Sequence, residues 1–222
     1  MEPTDKLKAF QRLSDILDTL RKECPWDRKQ TMKSLRYLTI EEVHELSEAI
    51  IQIENLKLKL KSGEINDEAA DIQLSTSNFQ LMKELGDVAM HLLFYCKIAE
   101  DEGLFTTADV YNAICDKLIS RHPFIYDKEN YHGENWEQLK MREGRKNVLE
   151  GVPASLPTLV KTVRLQEKVH GSTDNTAEPE EMTEEEFGQR LFDLVDWGRR
   201  HGINADDALS LANRRFIEEH GK

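Results

Sequence analysis

Apolar residues recur at steps of three and four along almost the whole chain, and alternation with period two is nearly absent, so the pattern predicts helices and no sheet. Leu7, Phe10, Leu13, Leu17 and Leu20 mark a first helix, closed off by Pro25. Glu23 to Lys33 reads as a loop. From Ser34 a stripe through Leu35, Leu38, Glu42, Leu46, Ala49, Ile53, Leu56 and Leu60 predicts a second helix ending near Gly63. Glu42 falls on this apolar stripe. Ser62 to Asn78 is polar and weakly periodic, which predicts a mobile connection or a short irregular helix. A third long helix is expected over Phe79 to Glu102; beyond Asp87 it is apolar nearly all round, as suits the middle of a bundle. A fourth follows Thr107, carries Val110, Ile114 and Leu118, and stops at His122 and Pro123.

The second half repeats this style at lower density. A short helix is expected around Trp136 to Arg145, a Pro-containing turn over Gly151 to Pro157, and helices near Thr158 to Val169, Glu184 to His201 and Ala205 to His220. Thr183 with Glu186 three residues on predicts a capping box, and the acidic stretch Gly171 to Met182 reads as a linker. Glu186-Phe187-Gly188-Gln189 echoes Glu84-Leu85-Gly86-Asp87, and Asp207 to His220 can be laid on Asp109 to His122 without a gap. The halves therefore read as duplicated helical units, and the fold class is all-α, a helix bundle with a degenerate second half.

Composition narrows the class. A chain of 222 residues with 39% hydrophobic and 32% charged residues can bury a core without staples, and is neither low-complexity nor disordered. Thirty basic against 42 acidic residues give a net charge of -12, which disfavours bulk binding of nucleic acid or of an anionic membrane. Cys24, Cys96 and Cys115 are odd in number and widely spaced, as expected of buried thiols in a reducing compartment. Met1 to Phe10 has no signal-like apolar core and no later run approaches membrane-spanning length, so the expected location is the cytoplasm.

Two acidic strings carry the candidate chemistry, Glu41-Glu42-Val43-His44-Glu45 and Glu84-Leu85-Gly86-Asp87. Residues three apart share a helix face, so Glu42 pairs with Glu45 and Glu84 with Asp87. Either pair alone reads as a solvated face. Both together, set in apolar helices, concentrate repelling charges that burial makes costlier, and a hard divalent cation relieves both costs. Magnesium, with manganese as the alternative ion, takes oxygen ligands and keeps positions open for water and phosphate. Lys117 and Arg121, at i and i+4, can follow a phosphate chain; alone they also suit a solvated helix C-terminus.

Cys24-Pro25-Trp26-Asp27 with Gln30-Thr31, then EEVHE, ELGD and Arg121-His122-Pro123, together resemble the MazG family of nucleotide pyrophosphohydrolases over nearly the whole chain. The resemblance implies an all-α fold that dimerises, binds magnesium and splits nucleoside triphosphates into monophosphate and pyrophosphate. By residue match it makes Glu42, Glu45, Glu84 and Asp87 the metal ligands, Glu41 a further acid near the metal or the attacking water, and Lys117 and Arg121 phosphate contacts. Residues 1–123 are then the catalytic unit, 124–157 a connection and 158–222 the degenerate unit.

The second half departs from the pattern: Gln189 stands where Asp87 would, Arg215 and Glu219 where Lys117 and Arg121 would, and no EExxE string precedes. A structural role is expected there. The stretch between Glu45 and Glu84 is also longer than the family usually has. Trp26 reads as a packing anchor more readily than as a base-stacking residue, and His44 and His91 as hydrogen-bonded core residues. Two other classes stay open. Glu41 with His44 forms an ExxH of the di-iron bundle type, although no second one faces it. A nucleotide-binding regulator without turnover is the other.

Overall fold

The computed structural model describes residues 3–134, 139, 144, 147–170 and 182–221; the helix expected around Trp136 and most of the acidic linker lie outside them. All regular structure among the described residues is helical, as expected. The helices are α1 (Pro3–Glu23), α2 (Met32–Lys61), α3 (Asp67–Asp101), α4 (Thr107–Arg121), α5 (Pro123–Tyr126), α6 (Thr158–His170), α7 (Glu184–Arg200) and α8 (Ala205–His220). No helix among the described residues is long and apolar enough to cross a membrane. The chain forms two compact units, Met1–Lys117 and Leu118–Lys222, so the division falls inside α4.

The first unit is dominated by the α2–α3 hairpin. Thr31 caps α2 by accepting from the Ser34 amide while the Ser34 hydroxyl accepts from the Thr31 amide, so the helix starts ahead of the Ser34 expected from periodicity. Its partner differs more. Asn66 caps α3, Asp67 and Glu68 favour its first turn through the helix dipole, and the helix then runs unbroken for 35 residues to Asp101. Asp67 to Asn78, the larger part of the stretch that periodicity leaves irregular, is thus the first third of one long helix. Its weak apolar signal reflects a segment that packs on one neighbour, where helix-forming residues and a good cap suffice.

The core of this unit is Leu17, Leu35, Leu93, Phe94 and Ile98, with Leu13, Met32, Leu38, Met90 and Tyr95 packed around it. Burying each of the five fully contributes about 1.5–3 kcal/mol. The loop after α1 is tied down by Arg21, whose Nη1 donates to the carbonyls of Asp27 (2.7 Å) and Gln30 (3.1 Å). Its Nε and Nη2 donate to Asp101 Oδ2, and its guanidinium lies over the Phe94 ring. Loop, first helix and end of α3 are thereby joined at one side chain. On α4, Val110, Ile114 and Leu118, expected to be packed, are exposed. Only Cys96 of the three cysteines is buried, and Cys115 is exposed.

In the second unit α6 and α7 both pack on α8. Leu165 and Asn213 are buried, and the Lys168 ammonium donates to the Val148 carbonyl at 2.7 Å. The expected capping box at Thr183 and Glu186 is present at the start of α7.

Candidate metal and active site

Antiparallel pairing of α2 and α3 decides which carboxylates meet. Passing from Glu42 to Glu45 along α2 corresponds to passing from Asp87 back to Glu84 along α3, so Glu42 lies nearer Asp87 and Glu45 nearer Glu84. The carboxyl of Glu42 is raised above its ordinary value by burial first and then by the charge of Asp87, ahead of Glu45, Glu84 and Glu41. Glu45, which is exposed, is also raised, by partial desolvation and then by the charge of Glu84.

Glu42, Glu84 and Asp87 each offer a carboxylate oxygen, and the three lie within 4.8 Å of one another. The cluster is therefore three carboxylates where four were expected. Glu45, one turn farther along α2 and exposed, is not among the three. Glu41 is exposed, and its charge reaches both Glu42 and Glu45. Lys117 and Arg121 follow one another by a single turn near the end of α4.

The fit to a hard cation can be judged on Glu84. It is only 4% exposed, its Oε1 accepts a hydrogen bond from Gln80 Nε2, and its Oε2 is buried with no hydrogen-bond partner. A buried carboxylate oxygen left unpaired costs free energy that a divalent ion in the cluster would offset. The donors are all carboxylate oxygens, with Glu42 and Asp87 only half-buried, which suits an ion that keeps water and phosphate among its ligands.

Two supports could not be read from motif spacing. Gln80 orients Glu84 from one turn earlier on α3. Beyond Asp87, Thr39 Oγ1 lies 2.9 Å from His91 Nδ1 and 2.7 Å from the Tyr95 hydroxyl, and donates to the Leu35 carbonyl at 3.0 Å. This network joins α2 to α3 three residues before Glu42 and four after Asp87, so it fixes the register in which the acids meet. His91 is the hydrogen-bonded, buried histidine the sequence suggests, and burial lowers its pKa against the opposing pull of Asp87. His44, by contrast, is exposed. A search by helical period would have found Gln80 and His91, each four residues from a site acid, but nothing in the sequence marks them as partners.

Two cavities border these residues. A groove of about 590 Å³ opens on Glu45 and Glu84 and runs along the hairpin past Gln52, Thr76, Ser77 and Gln80. A smaller one, about 200 Å³, lies among apolar residues of α1, α2 and α3 with Trp26 and His91 on its wall. Trp26 is 54% exposed, so it is not the packing anchor expected.

Comparison with known proteins follows the same residues. A model of the MazG nucleotide pyrophosphohydrolase domain matches residues 30–126, which include every carboxylate described above as well as Lys117 and Arg121. The chain is similar to the nucleoside triphosphate pyrophosphohydrolase/pyrophosphatase MazG of Thermotoga maritima, with 32% identity over 96% of this chain and 84% of that protein. It is also similar to the nucleoside triphosphate pyrophosphohydrolase of Escherichia coli, with 28% identity over 95% of this chain and 85% of the other. The uncharacterised protein YabN of Bacillus subtilis is 31% identical over 96% of this chain, which spans 47% of that longer protein. With its helices, its ExxE and ExxD acids on one hairpin and this likeness over nearly its full length, the chain belongs to the MazG family of nucleotide pyrophosphohydrolases.

Proposed function

We propose that this protein hydrolyses nucleoside triphosphates to nucleoside monophosphate and pyrophosphate, with magnesium held at the α2–α3 acids. The observation that carries this reading is the trio Glu42, Glu84 and Asp87, with the buried, unpartnered Oε2 of Glu84 among them. Glu45, beside Glu84, would be the fourth ligand. Relatives named as nucleoside triphosphate pyrophosphohydrolases support the substrate class.

The ion, when bound, polarises phosphate oxygens and eases deprotonation of water. The chain's residues do the rest. Glu42, Glu45, Glu84 and Asp87 fix the ion's place on the rigid hairpin, held in register by Thr39, His91 and Tyr95. Lys117 and Arg121 draw in the triphosphate and offset charge on the departing pyrophosphate. Glu41 takes the proton from the attacking water. The oxygen of that water bonds to phosphorus, and the bridging bond between the α and β phosphates breaks with its electron pair leaving on pyrophosphate. A groove of about 590 Å³ beside Glu45 and Glu84 has room for a nucleotide.

In this reading residues 1–123 are catalytic, 124–157 connect, and 158–222 are a degenerate copy with a structural role. Exposed apolar residues along the hairpin, among them Ile50, Ile51, Phe79, Met82 and Leu85, support assembly with a second copy of the chain. The decisive experiment is a panel of canonical, deoxy and modified nucleoside triphosphates, incubated with magnesium and assayed for both products. Monophosphate and pyrophosphate in equal amounts are expected. Binding without release of either would favour a regulator, and iron retained after purification would favour the di-iron reading.

A further inference from the structure

Among the described residues of the second unit no three carboxylates cluster as Glu42, Glu84 and Asp87 do, yet it contains a polar cavity of its own. About 210 Å³ in volume, it lies between α6 and α8 and is lined by Ala154, Leu156, Thr158, Lys161, Ser210, Asn213 and Arg214. Among the described residues no carboxylate borders it. Two cations do, and among the described residues neither Lys161 nor Arg214 has an ion-pair or hydrogen-bond partner. Two positive charges facing one polar cavity repel each other, and an anion between them removes that cost.

The remaining wall is pre-arranged. Asn213 is 4% exposed; its Oδ1 accepts from Thr162 Oγ1 at 2.9 Å and its Nδ2 donates to the Thr158 carbonyl at 3.2 Å. That leaves the second N–H of the amide uncommitted. The hydroxyls of Thr158 and Ser210 lie 3.2 Å apart, and a hydroxyl pair can turn at least one proton outward. Thr158 also opens α6, a helix of 13 residues, which adds a favourable dipole but is not needed for the argument. An Arg fork, a Lys point charge, hydroxyls and an amide donor around one cavity match the chemistry of phosphate oxygens. The volume is below the roughly 300 Å³ at which sites for drug-sized ligands begin, so it suits a phosphate or diphosphate group and is too small for a whole nucleoside triphosphate.

We propose that this cavity is an oxyanion site that binds one phosphate or diphosphate group through Lys161, Arg214, Ser210 and Asn213. The site stands apart from the proposed chemistry of the first unit and does not depend on it. The source of the group is either free inorganic diphosphate or the phosphate end of a nucleotide, and the titration separates the two.

The test is calorimetric titration of the full-length protein at low ionic strength with EDTA present, which keeps the carboxylate cluster repulsive to anions. Sodium phosphate, sodium pyrophosphate and adenosine monophosphate are titrated separately. One saturable site per chain is expected for pyrophosphate, weakened at least tenfold in a Lys161→Gln/Arg214→Gln protein and retained in a Lys117→Ala/Arg121→Ala protein. Equal affinity for the monophosphate identifies a nucleotide end as the ligand; preference for pyrophosphate identifies the free ion. Glutamine keeps most of each aliphatic stem, and circular dichroism with an unchanged melting point establishes that the double variant is folded. If it is not folded, Lys161→Arg/Arg214→Lys supplies the reading: binding retained in that charge-preserving variant and lost on raising salt supports the site. No saturable binding in the natural protein, binding unaffected by Lys161→Gln/Arg214→Gln, or binding lost in Lys117→Ala/Arg121→Ala each overturns the proposal.

Discussion

Gln80 donates a hydrogen bond to Oε1 of Glu84, and the other oxygen of that carboxylate is buried without a partner, so a neutral amide engages one oxygen and leaves the other uncommitted. Outer partners of metal ligands typically govern affinity by about 10- to 100-fold. Gln80→Leu removes the donor while filling similar space. Manganese titrations should show weaker binding by about that factor, with turnover largely restored at saturating metal. Unchanged metal affinity would reduce Gln80 to a surface amide.

Neutralising one acid of the cluster separates catalysis from folding. Glu42→Gln and Asp87→Asn should abolish pyrophosphate release while leaving the fold intact, because each relieves repulsion in the metal-free protein. Full turnover in either variant would remove these residues from the metal site.

The raised carboxyl of Glu42 also gives stability a definite pH dependence. Its folded pKa lies above the ordinary 4.5, so between the two values the folded chain binds more protons than the unfolded one, and this group's contribution to stability falls as pH rises. Burial is the largest cause, followed by Asp87. In EDTA, the stability advantage of Glu42→Gln over the natural protein should therefore be absent near pH 4, grow as pH rises past about 4.5, and shrink when magnesium is added. Urea denaturation of both proteins across about pH 4 to 8 measures it. A gap that is constant with pH would contradict the electrostatic cause.

Lys117→Ala and Arg121→Ala address the substrate side. Loss of one charge-assisted contact to the triphosphate should reduce kcat/KM by the equivalent of about 1.5 to 3 kcal/mol, with little change in Tm. Steady-state kinetics at saturating magnesium read this directly. Kinetics like those of the natural protein would remove both side chains from the substrate site.

Which of these features the sequence reveals depends on the range of the interaction. The acids of α2 and α3 are legible because their spacing is local to a helix turn, and the burial of Glu42 is legible from the stripe it interrupts. The loss of Glu45 from the cluster is not, because it follows from the antiparallel offset of two helices, a tertiary fact. The start of helix α3 is hard to see in the sequence for the opposite reason: Asp67 to Asn78 lacks a strong apolar period, and the Asn66 cap that starts the helix is a short signal in a polar stretch. Thr39, 52 residues from His91, carries no mark of its partnership, while Val110 and Ile114 have the period of a buried face that the chain leaves exposed.

Glu186 sets the second half apart from the first. This residue corresponds by sequence to Glu84, yet its carboxylate is committed elsewhere: Oε2 accepts from the Thr183 amide at 2.9 Å and from the Thr183 hydroxyl at 3.0 Å. Those bonds hold its carboxyl below the ordinary range, the backbone bond being the larger cause. Gln189, in the place of Asp87, donates to Asp193 at 2.8 Å. Both residues are thus used in local helix contacts, and a lone carboxylate engaged in a cap makes a poor ligand for an ion that needs several oxygens. Glu186→Ala should therefore leave pyrophosphate release unchanged. Its cost should appear in stability, and Thr183→Ala, which removes the N-cap itself, should cost about 0.5 to 2 kcal/mol. Lowering the pH through the depressed pKa of Glu186 should remove the same contribution, since protonation weakens its acceptance of both bonds. Glu186→Ala combined with Gln189→Asp should still bind no second metal ion. A Glu186→Ala protein that folds normally and has lost all turnover would move the active site into the second half.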